Sequence, residues 1–314
     1  MRITNKMLSN NFLRDMNTNL NNLSTLQTQM ATGKQINKAS DDPAKASKIM
    51  QINSDISANK QYNDNITNTT NWLDMTDTAL GQVGDITTRI QELLVSAGNA
   101  GYGDDQKGAI KDEINQKVGE ISQILNTSFD GKYIFGGTSG TTKPTGATED
   151  PTSKNTQLTL TATTPAQLQE EGAKLSVEVS QGVTMNYNVT ASEVMNYGTG
   201  AEAGDLKTLL GNITSHLDSG DTTSLTTTDL TGIQSVMTNV LRLRSQVGAN
   251  QNGMESALTR NVDQNTNMTE ILSTTEDIDI TQKSMEYANM QTVYTASLQT
   301  SAKVLQPSLL DYLR

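Results

Sequence analysis

A single histidine, His216, stands in this 314-residue chain, and there is no cysteine at all. Without cysteine there is no thiolate nucleophile, no disulfide and no cysteine-ligated metal. With one histidine there is one imidazole base and no histidine-based metal cluster. His216 lies in Ser215-His216-Leu217-Asp218-Ser219-Gly220, a helix end running into a loop, and reads as a surface histidine. Asp41-Asp42 pairs two carboxylates, but Pro43 follows directly. That is a helix start, with Asp42 as cap and Pro43 at the first position, where a missing N–H costs nothing. Glu276-Asp277-Ile278-Asp279 gathers negative charge yet lacks the glycine and the loop spacing of an EF-hand, and reads as a solvated helix face. Gly136-Gly137 is not followed by Gly-Lys-Ser/Thr, so it is a turn and not a phosphate cradle. No catalytic constellation remains. The chain reads as a non-enzyme with no cofactor and no metal.

The composition agrees with a structural role. Only 34% of residues are hydrophobic and 4% aromatic, which suits long helices with narrow apolar seams and one-sided sheets better than a thick enzyme core. A net charge of −11 and a pI near 4.6 argue against nucleic acid and anionic membrane surfaces as partners. No apolar run approaches the length of a membrane span. The opening Met-Arg-Ile-Thr-Asn-Lys-Met lacks the apolar core of a secretory signal peptide. Absence of cysteine also suits a protein exported unfolded.

The elements that must carry any function are marked by heptads at both ends. Leu13, Met16, Leu20, Leu23 and Met30 are spaced 3, 4, 3 and 7 apart. Ile233, Val236, Val240, Leu243 and Val247 repeat the pattern, and Met254, Met268, Ile271 and Ile278 keep its register. Such a seam is what two helices need to wind around each other, and bringing the two ends together buries both. A helix is expected over 8–32, stopped by Gly33. A longer one starts at Pro43 and runs to Gly98. A third, capped by Asp104 or Asp105, carries Ile110, Ile114, Val118, Ile121 and Leu125.

From about residue 133 the period becomes two. Leu158, Leu160 and Ala162 alternate with threonines. Leu175, Val177 and Val179 form one arm of a hairpin, with Gln181-Gly182 as the turn and Val183, Met185, Tyr187 and Val189 as the other arm. A short helix is expected over 204–218, and a long one from near Thr228.

The expected fold is therefore mainly α with a β-rich insertion. An elongated helical bundle or coiled coil forms from the N- and C-terminal segments and carries a small outer β domain. Three regions follow. Residues 1–44 and 279–314 form a terminal coiled coil that is disordered before assembly. Residues 45–135 and 228–278 form a helical bundle, and 136–227 a variable β-rich domain. Charge supports pairing of the ends: residues 1–40 hold five basic and one acidic side chain (+4), and residues 270–314 hold three basic and six acidic (−3). Apolar groups in the last segment point many ways, more than one helix can cover, which asks for neighbouring subunits. The expected assembly interface is Leu13, Met16, Leu20, Leu23 and Met30 with Met290, Val293, Leu298, Val304, Leu305, Leu309, Leu310, Tyr312 and Leu313. Gln27, Asn59, Asn63, Asn250, Asn261 and Gln264 interrupt the seams, so isolated pairing should be weak.

Several stretches resemble the flagellin superfamily. Arg2-Ile3-Thr4-Asn5, Gln29-Met30-Ala31-Thr32-Gly33-Lys34 and Ser40-Asp41-Asp42-Pro43-Ala44 are similar to the opening of flagellins and their relatives. Arg89-Ile90-Gln91-Glu92-Leu93, Ala97-Gly98-Asn99 and Asp112-Glu113-Ile114 resemble the next helical block. Phe129-Asp130-Gly131-Lys132-Tyr133-Ile134-Phe135-Gly136-Gly137-Thr138, Lys143-Pro144, Ala296-Ser297-Leu298 and Gln306-Pro307-Ser308-Leu309-Leu310-Asp311-Tyr312-Leu313 resemble the hook–filament junction branch of that superfamily. Asp279-Ile280-Thr281 departs from it, since alanine commonly follows the Asp-hydrophobic pair.

The resemblance covers roughly 1–143 and 228–314. It implies a structural part of the bacterial flagellum: an extracellular adaptor ring between the hook-associated protein FlgK and the flagellin filament. It further implies assembly with copies of itself, type III export without a cleavable signal and the chaperone FlgN beforehand, with no nucleic acid and no membrane insertion. Two alternatives stay open. One is the filament subunit itself. The other is a secreted adhesin, which needs an aromatic or charged cluster in 136–227, where only Tyr187 and Tyr197 stand.

Overall fold

A computed structural model describes residues 5–98, 103–151, 153–198 and 203–304. Helix α1 (Asn5–Thr32) ends at Gly33, whose φ of +73° suits a residue without a Cβ and whose N–H donates to Gln29 O at 2.8 Å. Helix α2 (Pro43–Ala97) starts as its cap requires: Asp42 Oδ1 accepts from the Ala44 and Lys45 N–H groups at 3.1 Å each. Helix α3 (Asp104–Leu125) corrects one expectation. Its cap is Gly103, whose N–H donates to Gln106 Oε1 at 3.1 Å. Asp104 and Asp105 sit inside the first turn, where carboxylates meet the positive end of the helix dipole.

Short antiparallel pairs then alternate with short helices. β1 (Ser128–Phe129) pairs with β2 (Lys132–Tyr133), and β3 (Thr145–Glu149) with β4 (Thr156–Leu160) in the register Thr145↔Leu160. Helix α4 (Pro165–Glu171) was not foreseen. Its signal is a capping box, with Thr164 Oγ1 accepting from Gln167 N–H and Gln167 Oε1 from Thr164 N–H. β5 (Ser176–Ser180) and β6 (Val183–Asn186) make the expected hairpin, and Gly182 takes φ +73° in its turn. Helix α5 (Ala191–Met195) leads into β7 (Asn196–Tyr197), which pairs with β8 (Gly204–Asp205). Helix α6 (Leu206–Ser219), the single turn α7 (Thr222–Ser224) and a π-helical turn, Leu225–Asp229, lead into α8 (Leu230–Glu276) and α9 (Ile280–Val304). The fold is mainly helical with a β-hairpin insertion.

The chain divides into two compact units, one made by the chain up to Ala58 with the chain from Asp263, the other by Asn59–Val262. Within Asn59–Val262 the heptad residues form a closed core. Ile66, Leu73, Leu80, Val83, Ile90 and Leu94 of α2 join Ile233, Val236, Val240, Leu243, Val247 and Met254 of α8, all buried. Ile114, Val118, Ile121 and Leu125 of α3 add a third helical face. Polar bonds fix α2 to α8. Arg244 grips Asp77 with two hydrogen bonds, at 2.9 and 3.1 Å, and Gln251 Nε2 donates to Asp74 Oδ1 at 2.7 Å.

Asn59, Asn250 and Asn261 of the seam, together with Asn65, have a purpose that the heptad pattern hid. Asn59 Nδ2 donates to Asn261 O at 2.8 Å, and Asn261 Nδ2 donates to Val179 O at 2.8 Å. Asn65 Nδ2 reaches Glu178 O and Asn250 Nδ2 reaches Asn186 O, both at 3.3 Å. Asn65, Asn250 and Asn261 hold the β5–β6 hairpin against the helices by its backbone carbonyls, and Asn59 ties α2 to α8.

Candidate assembly interface

In the unit built from the two chain ends, α1 packs against α9. The two helices are joined at one end by backbone pairing. Lys34 bridges Asp277 in antiparallel fashion, Gln35 N–H donates to Glu276 O at 2.6 Å, and Ile278 N–H donates to Gly33 O at 3.1 Å. The Lys34 ammonium also meets the nearly buried Glu276 carboxylate at 2.5 Å. The end of α1 therefore meets the start of α9, and the helices run in opposite directions.

Half-buried positions on α1 include Phe12, Met16, Asn19, Leu23, Leu26 and Met30, spaced 4, 3, 4, 3 and 4. On α9 they include Lys283, Tyr287, Met290, Tyr294, Ser297 and the buried Ser301, with the same spacing. Two such stripes facing each other form an antiparallel coiled-coil seam. Its α9 side is poor in aliphatic side chains and carries Ser297 and Ser301 near its end.

The expected interface residues divide accordingly. Met16, Leu23, Met30 and Met290 lie in the seam between α1 and α9, so their packing is satisfied largely within the chain. Leu13 and Leu20 do not. They are 42% and 44% exposed, with Met7 beside them in the same open state, and on α9 Ile280, Met285, Val293 and Leu298 are likewise exposed. The sequence admits two heptad registers sharing Met16, Leu23 and Met30. Phe12 and Leu26 identify the register that faces inward, which leaves Leu13 and Leu20 outside. The same slip occurs late in α8, where Ile271 is exposed and its neighbour Leu272 is half-buried. The side chain of Val304, and Leu305, Leu309, Leu310, Tyr312 and Leu313, lie outside the described residues, as does part of the segment expected to order on assembly.

Lys283 and Glu286 pair at 2.7 Å, which holds the exposed Glu286 carboxyl below its ordinary range. Among the described residues no group of three potential ligands could hold a metal ion, and no helix is long and apolar enough to cross a membrane.

His216 is a correction. It is half-buried, with Nδ1 2.7 Å from Oδ2 of the buried Asp229, and this pair ties α6 to the π-helical turn. Burial raises the Asp229 carboxyl, and the His216 hydrogen bond opposes that shift. A second grouping joins Tyr187 to aromatic side chains from outside 136–227. Trp72 meets Phe129 and Tyr187 edge-to-face, with centroids 6.1 and 5.9 Å away. The trio draws on three separate stretches of sequence and is a packing cluster, since Trp72 is buried.

Two family models match the chain: the bacterial flagellin N-terminal helical region over residues 3–140 and the bacterial flagellin C-terminal helical region over residues 230–313. The chain belongs to the flagellin family. Within it, the chain is similar to the flagellar hook-associated protein 3 of Escherichia coli K12, with 24% identity over 274 residues, 86% of each chain. It is also similar to a flagellin of Clostridium tyrobutyricum, with 31% identity over 128 residues, 41% of this chain and 34% of that one. The chain thus spans about a third of the length of the flagellins it matches first. A solved flagellar hook-associated protein from Vibrio parahaemolyticus shares the fold, with a TM-score of 0.62 at 20% identity over 75% of this chain and 99% of that one.

Proposed function

We propose that this chain is the hook–filament junction component of a bacterial flagellum, a non-enzymatic adaptor ring outside the cell. The single observation that supports this reading is the reach of the likeness to hook-associated protein 3. It runs through 86% of both chains, including the hairpin insertion, whereas the flagellin match covers a third of its relative. In this reading FlgK lies on one side, flagellin on the other and further copies of the chain alongside, with FlgN holding the chain before export. The regions 1–44 with 279–314 make the inner coiled coil, 45–135 with 228–278 the bundle, and 136–227 the outer domain. Leu13, Leu20, Val293 and Leu298 form the part of the interface that neighbours cover, and the terminal coiled coil completes its order on incorporation. Interfaces of this kind are heterologous, because each layer must leave a site open for the next.

A second reading, the filament subunit, is favoured by the 31% identity to a flagellin. Deleting the gene separates the two. Intact hooks with flagellin released into the medium are expected for the junction component. Loss of the filament protein itself from surface and medium would show that this chain is the filament subunit.

A further inference from the structure

Methionine carries all the sulfur in this chain: thirteen residues, and no cysteine. The side chains differ sharply in their access to solvent. Met195 and Met254 are shut into the core of the Asn59–Val262 unit. Met50 is 70% exposed, Met285 60% and Met7 56%, and all three belong to the unit made by the chain ends. Met75, at 36%, is an exposed methionine of the other unit. Met50 also lines a groove of about 440 Å³ with Ala39, Pro43, Ala46 and Ser47, next to the capped start of α2.

We propose that Met50, Met285 and Met7 are oxidation sites, and that their conversion to sulfoxide by hydrogen peroxide blocks incorporation of the chain into its assembly. The second half rests on the assembly reading given above. In the chemical step the thioether sulfur attacks one peroxide oxygen. An S–O bond forms and the O–O bond breaks. The sulfur loses two electrons, and the departing hydroxide takes the proton from the new S–OH group, leaving as water and leaving the sulfoxide. Access of peroxide to sulfur decides the rate, so the buried methionines are protected. The consequence follows from polarity. A flexible apolar side chain becomes a strong hydrogen-bond acceptor, and burying that oxygen in an apolar interface without a donor is unfavourable. Three such oxygens would lie on the unit made by the chain ends, where Leu13, Leu20, Val293 and Leu298 are exposed beside them.

The test treats the full-length protein with hydrogen peroxide under native conditions and maps sulfoxide by peptide mass spectrometry over time. Met50, Met285 and Met7 should convert at least about tenfold faster than Met195 and Met254, with Met75 between them. Sedimentation with isolated, FlgK-capped hooks then reads incorporation. Treated wild type should lose binding by about tenfold or more, while a treated M7L/M50L/M285L protein should keep it, because leucine conserves volume and has no sulfur. Treated M75L should lose binding like wild type. An unchanged thermal transition in the triple variant shows that it folds. Equal oxidation rates at buried and exposed methionines would overturn the site assignment. Retained binding by treated wild type, or equal loss in the triple variant, would overturn the effect on incorporation. If untreated wild type fails to sediment with hooks, the junction reading falls and the incorporation claim with it, while the mapped rates still judge the sites.

Discussion

In the Asn59–Val262 unit, Leu73, Leu80, Val83 and Leu243 are fully buried, and Asn59 and Asn261, which enter the seam, donate to backbone carbonyls. In the unit built from the chain ends, α1 and α9 meet along a single half-buried stripe while Leu13, Leu20, Val293 and Leu298 remain in water. Both regions are heptad helices of similar composition. They differ in how many faces are covered: α2 and α8 have α3, α6 and the hairpins around them, whereas α1 and α9 have each other. A narrow seam with serines and an asparagine in it gives a marginal helix pair. The same economy leaves an apolar rim free for a neighbour. The difference teaches that one pattern can build a self-sufficient core or an unfinished one, depending on what the rest of the chain supplies.

The largest effect should come from removing one partner of the unfinished pair. Deleting residues 281–314 is expected to abolish junction formation and leave the unfolding transition of the Asn59–Val262 unit in place. Calorimetry together with electron microscopy of hooks checks both halves. Loss of that transition would break the comparison, because the bundle would then depend on the ends.

Next is a cavity in the finished core. Leu80→Ala removes a side chain with no exposure and should cost about 2–5 kcal/mol in denaturant unfolding, whereas Leu20→Ala should stay within about 0.5 kcal/mol. Similar losses at the two sites would mean that α1 is as tightly held as α2. Smaller still is Arg244→Ala. Its two bonds to Asp77 are half-exposed, so about 0.2–1 kcal/mol is expected from the same unfolding measurement.

The smallest effect is one of pH. Glu171 is buried, its Oε2 has no hydrogen-bond partner, and burial raises its carboxyl, opposed by a bond from the Ala162 N–H. A carboxyl raised in the folded state favours folding when protonated, and that advantage is lost as pH rises through its folded value. Glu171→Gln should therefore raise the melting temperature slightly at pH 7. The gain should fade as the pH drops below the ordinary carboxylate range. A gain that persists unchanged in acid would show that the ionised form is not the source.

Much of this contrast was legible in the residues. Heptads, Gly33, the Asp42-Pro43 start and the Gln181-Gly182 turn act over short range, and the structure places them as their local chemistry dictates. Other features were not readable in this way. Leu13 and Phe12 compete for one seam position, and it is the packing against α9 that places Phe12 inside, in register with Leu26, and Leu13 outside. The His216–Asp229 pair needs a π-helical turn to bring its partners together, and Trp72 meets Tyr187 across 115 positions of chain. Asn261 looked like a flaw in a coil because its acceptor, Val179 O, lies on a hairpin 82 residues away.

The most direct test is complementation of cells lacking the gene by a Leu13→Asp/Leu20→Asp/Leu298→Asp variant, with export and filament growth scored together. The account predicts that the variant is exported, keeps the unfolding transition of the Asn59–Val262 unit, and leaves hooks bare with flagellin released into the medium. Filaments restored to wild-type number would contradict it, since the uncovered rim of α1 and α9 would then have no part in assembly.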